Sequence, residues 1–147
     1  MHLLLLLSLI FPTNDFERPM VAFGSGHRGI DMPLSEVRTP VSGRVSFVGK
    51  VFTRELITVE TDYGKFSYEP VCSDLEKHQQ VKAGDLIGFR CEGEEVYEPH
   101  CENCVHVSFR DQWGYLNPLW VLGLKTPSEP VSGPGMGLRI SLTESLD

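Results

Sequence analysis

Two stretches of the sequence carry residue types able to do chemistry. In GHRGIDM, which opens at Gly26, His27 and Asp31 flank Gly29; in CENCVHVSF, which opens at Cys101, the pair Cys101 and Cys104 precedes His106. Histidine and aspartate are both zinc ligands, and a glycine between them permits a close backbone approach. A third ligand must come from elsewhere in the chain. His106 would complete a set of two histidines and one carboxylate, leaving a fourth position open for water. By spacing alone, the His27 and Asp31 pair also fits a plain surface hydrogen bond. Cys104 stands two residues before His106 in an apparent strand, so both side chains are expected on one face. As a thiolate, Cys104 would be a fourth ligand and close the site; bonded to Cys101, it would leave the site open. His100, in the acidic run just before these cysteines, is a candidate general base but fits a surface histidine better.

The elements that must position these residues read as short strands. GRVSFVGKV from Gly43, LITVETDY from Leu56, GKFSYEPV from Gly64, DLIGFRC from Asp85 and CVHVSFRD from Cys104 are rich in β-branched and aromatic residues and bounded by turn residues. DYGK predicts a hairpin between its flanking strands, and KAGD a tight turn with Gly84 at positive φ. No segment carries a long helical stripe, and CSDLEKHQQ from Cys72 has room for a turn or two. Many short strands with Gly and Pro turns predict an all-β domain, a small antiparallel sandwich or barrel. Where both faces of a strand are apolar, alternation leaves open which of Val45, Phe47, Ile57, Val59, Phe66, Tyr68, Ile87, Phe89, Val105 and Val107 face inward.

The motif order GHRGIDM, TPVSGRVSFVG, ITVETDYGKFSYEPV, VKAGDLIGF, CVHVSFR and GYLNPLWVL resembles the core domain of the lysostaphin-type, LytM-like zinc peptidoglycan endopeptidases, from about Gly26 to Leu122. The resemblance implies the antiparallel β fold called the duplicated hybrid motif, zinc as cofactor, and His27, Asp31 and His106 as its ligands. Active members place two more histidines beside the metal, one at the first position of His-x-His and one in Tyr-x-His. Here those positions hold Cys104 and Pro70. Proline can take up no proton, and a positioned acid or base is worth roughly 10²- to 10⁴-fold, so both general bases are missing and turnover should be weak or lost. The chain is similar to a variant subgroup with YEPV and Cys-x-His in place of the histidines. Arg28 and Glu69 lie beside the expected site, placed to contact a substrate peptide. Lys65 lies near a hairpin tip but lacks the setting of a biotinyl or lipoyl carrier lysine.

Composition sets outer bounds. At 147 residues, 41% hydrophobic and 22% charged, the chain has the size and balance of one globular domain. A formal charge of −7 and no basic stripe oppose nucleic-acid binding. MHLLLLLSLIF is too short to span a bilayer, which takes roughly 20 apolar residues, but suits a signal-peptide core or a short anchor. The expected organisation is a leader over 1–15, the β domain over 16–124, and a Pro/Gly-rich linker over 125–147 with LRISL as a possible final strand. The four cysteines, Cys72, Cys91, Cys101 and Cys104, suit an oxidising compartment. Counting leaves three pairings open, with Cys72 to Cys91 the natural remainder if Cys101 and Cys104 join. Together these readings predict an exported cell-wall protein with partners among peptidoglycan peptides, or else a non-catalytic module that binds the wall or regulates another cell-wall hydrolase. Membrane contact would come only through the leader.

Overall fold

The computed structural model describes residues 15–17, 27–91 and 103–123. The leader, His100, Cys101 and the tail with LRISL lie outside these residues. Ten strands follow in order: β1 (Ile30–Met32), β2 (Glu36–Arg38), β3 (Gly43–Val51), β4 (Arg54–Glu60), β5 (Lys65–Glu69), β6 (Val71–Cys72), β7 (Gln80–Val81), β8 (Leu86–Arg90), β9 (Val105–Asp111) and β10 (Gly114–Leu116). A single helical turn, α1 (Pro118–Val121), closes the described chain. Asn117 caps it by accepting from the Leu119 N–H at 3.0 Å, and Pro118 starts the turn where a missing N–H costs nothing.

The strands form two sheets, and every described pair is antiparallel, as the all-β reading expects. The larger sheet runs β1-β9-β5-β4-β3-β7, with β10 also on β9; the smaller runs β2-β8-β6. Ile30, Met32, Val45, Ile57, Val59, Phe66, Tyr68, Val105, Val107 and Phe109 of the larger sheet join Val37, Val71 and Ile87 of the smaller in one buried core. Strict alternation along β9 puts Val105, Val107 and Phe109 in that core, so His106, Ser108 and Arg110 share the opposite face.

Alternation misleads in β3. Val45 and Phe47 are two apart, yet the register slips between them, from Val45↔Val59 to Phe47↔Thr58. The extra residue turns Phe47 outward, where it is 36% exposed, and carries Val48 toward the core. Phe89 also faces solvent. GKFSYEPV divides into β5 and β6 at Pro70, which has no N–H for a ladder.

Cys72 and Cys91 are bonded, tying β6 to the end of β8 across a separation of 19 residues. A loop of that length is worth about 3 kcal/mol in the chain-entropy account. Replacing both cysteines by serine should therefore lower the melting temperature by about 10 °C. A thermal scan of the double variant checks this.

Candidate metal centre

The sheet order builds the centre by juxtaposing residues distant in sequence. β1 pairs with β9 so that Asp31 lies opposite His106, and β5 pairs with β9 on the other side so that Glu69 lies opposite the same histidine. His27 reaches the row from just before β1. The ligand atoms of His27, Asp31 and His106 all lie within 4.8 Å of one another. His106 Nδ1 is 2.8 Å from Asp31 Oδ1, His27 Nε2 is 3.3 Å from the same oxygen, and the two rings meet edge-on at 4.9 Å between centroids.

The Asp31 side chain is 1% exposed. A buried carboxylate is costly unless paired, and His106 Nδ1 stands within hydrogen-bond distance of one of its oxygens, with His27 Nε2 close to the same atom. His27 is oriented from behind. Its Nδ1 meets the Asp15 carbonyl oxygen at 2.5 Å, and its backbone exchanges two 2.8 Å hydrogen bonds with Glu17. A carbonyl can only accept, so Nδ1 carries the hydrogen and Nε2 is left with its lone pair toward Asp31. Sequence reasoning missed this support, because nothing in Asp15–Phe16–Glu17 signals pairing with His27. Phe16 packs on Trp120 at 6.2 Å between ring centroids.

Two imidazole nitrogens and a carboxylate oxygen, convergent and with Asp31 and His106 buried, form a donor set that fits zinc. Among the described residues the set has three members. Cys104 is buried and disulfide-bonded, so the expected alternative of a fourth, thiolate ligand does not hold. It also precedes β9, which starts at Val105. A disulfide sulfur has neither the negative charge to bind zinc nor a proton to exchange. His100 and Cys101 fall outside the described residues.

Gly29 is required by close approach. A Cβ there would lie 2.3 Å from the Val107 carbonyl oxygen and 2.7 Å from His106 Nε2. Alanine at Gly29 should therefore push β1 off β9 and displace His106, lowering zinc affinity about 10- to 100-fold, as loss of an orienting contact does. Competition for zinc against a chromogenic chelator reads this directly.

The neighbours are polar and ordered. Glu69 is held at 3.5 Å by Arg54, and the Arg28 guanidinium lies 5.9 Å from the Tyr115 ring centre. Tyr68, though in the motif beside the expected base, points into the core, where burial pushes its phenol well above the ordinary range and keeps it neutral. Pro70 follows Glu69 with a cis peptide bond and offers no titratable group.

By sequence, no family model and no curated protein matches the chain. By structure, its neighbours are M23 peptidase domains of the lysostaphin type. The catalytic domain of the prophage-encoded M23 protein EnpA from Enterococcus faecalis, solved as a mutant, superposes with a TM-score of 0.57 at 20% identity, covering 73% of this chain and 87% of that one. LytU gives a TM-score of 0.58 at 18% identity, covering 76% and 83%. Lysostaphin gives 0.56 at 18%, covering 84% of this chain but 57% of its own. The chain thus has the all-β fold of these domains.

Proposed function

We propose that the chain is an exported cell-wall protein that binds zinc through His27, Asp31 and His106 and holds peptidoglycan peptides on the sheet face beside them, with hydrolysis weak or lost. The observation that carries this reading is the convergence of the His27 and His106 rings on one buried oxygen of Asp31, in a fold shared with M23 domains. Zinc, when bound, would polarise a scissile carbonyl and make water a better nucleophile. The chain's own residues hold the ion and orient the peptide. Asp31 supplies charge, His27 is fixed by the Asp15 carbonyl, and Glu69 presents a carboxylate anchored by Arg54. No residue at position 70 or 104 takes up a proton, and proton transfer is the part of the reaction that suffers.

That same feature favours a second reading, a module that binds wall peptides or regulates another hydrolase without cutting. The two readings separate in one assay. Purified peptidoglycan is incubated with the zinc-loaded chain and with the chelated chain, and both sedimentation with the wall and release of new amino groups are measured. Zinc-dependent sedimentation with slow release supports the enzyme relic. Sedimentation without any release supports the module, and no sedimentation in either state defeats both.

A further inference from the structure

The metal centre occupies one end of a polar face whose other end carries two cations. Along β9 the face runs His106, Ser108, Arg110, and the register sets Ser67 opposite Ser108 and Lys65 opposite Arg110. Ser46, Phe47, Thr58 and Tyr115 complete the lining of a hollow of about 260 Å³. Lys65 and Arg110 are direct cross-strand neighbours of like charge, an arrangement that destabilises a sheet unless something neutralises it. Among the described residues, neither makes an ion pair. Glu60, on the other side of Lys65, is taken by Arg44 at 3.8 Å.

Placing two cations side by side with no ion pair of their own among the described residues, in a chain of formal charge −7, is a poor choice for stability alone. We infer that Lys65 and Arg110 form a subsite for a carboxylate of an extended peptide whose backbone lies along β9 and reaches the metal centre. This rests on the reading of the face as a peptide groove. The distance from His106 to Arg110 is four residues of strand, about 13 Å, so the carboxylate would sit about four peptide residues from the bond over the metal. Arginine and lysine supply charge-assisted hydrogen bonds, and the Ser108, Ser67 and Thr58 hydroxyls can pair with the intervening backbone. The Thr58 and Ser67 hydroxyls already lie 2.8 Å apart. A single carboxylate suits the site better than a polyanion, which the overall negative charge repels.

The test compares two probes on the full chain by calorimetry at low salt: N-acetyl pentaalanine with a free C-terminal carboxylate, and the same peptide as the amide. The acid should bind about tenfold more tightly, and the preference should fall to about twofold or less in Lys65→Gln and vanish in the Lys65→Gln, Arg110→Gln double variant. Both variants should melt at or above the wild-type temperature, since repulsion is relieved. Equal binding of acid and amide, or a preference that survives the double variant, overturns the subsite. So does a drop in melting temperature of several degrees in both variants, which would make the pair structural. Inorganic phosphate that binds through the pair while the peptides are not distinguished overturns the carboxylate assignment. Zinc content measured on the same samples keeps the two readings apart: an acid preference without zinc binding defeats the metal centre and leaves the subsite standing.

Discussion

Alanine at His27 is expected to lower zinc affinity about 10³-fold and leave the metal-free protein folded, whereas alanine at His106 should cost the same affinity and destabilise the metal-free protein as well. The affinity estimate follows from protein zinc sites, where total binding free energies of about 10–16 kcal/mol shared among few ligands put each near 4 kcal/mol. The difference in stability comes from position. His27 precedes β1 with a side chain 15% exposed, while His106 lies inside β9 and holds the fully buried Asp31 at 2.8 Å. Removing His106 takes that hydrogen bond from a buried carboxylate and leaves a cavity, together about 2–3 kcal/mol. Chelator competition and thermal melting of the two metal-free variants measure both effects. Equal melting temperatures for the two variants would contradict this account of Asp31.

Cleavage of peptidoglycan should run at least about 10²-fold slower than with a domain of this fold that keeps both base histidines. Each base is worth roughly 10²- to 10⁴-fold, and groups that act together lose less than the product of their separate losses, so the lower bound is the safe one. Zinc does not make up the loss, because Pro70 has no proton-accepting atom and the Cys104 sulfur is committed to a disulfide. A time course of amino-group release at matched enzyme concentration reads the ratio. A rate within tenfold of the two-histidine domain would mean that another group serves as base.

The long strands were legible because each gathers enough β-branched and aromatic residues between turn residues to be recognised. β3, β4, β5, β8 and β9 all fall inside the segments expected to be extended, apart from the start of β4 at Arg54. β1, β2, β7 and β10 have only two or three residues each, too few for any periodicity to register. The slip at Ser46 was invisible for a different reason: a bulge is a property of the pair β3–β4, and neither strand states it alone. The site was readable in part. His27, Asp31 and Gly29 lie in one short motif, but the pairings of Asp31 with His106 and of Lys65 with Arg110 depend on β9 lying between β1 and β5. Sequence distance hides that order. The state of Cys104 was equally hidden, since four cysteines are compatible with either a thiolate or a bridge at that position.

The most direct test of the centre is a cobalt(II) titration of the full chain followed by visible and near-ultraviolet absorption, with zinc as competitor. The account predicts one cobalt per chain, a ligand-field spectrum of nitrogen and oxygen donors, no thiolate charge-transfer band, and displacement by one equivalent of zinc. A thiolate band would put Cys104 or another cysteine on the metal. No saturable binding would show that His27, Asp31 and His106 do not form a metal centre.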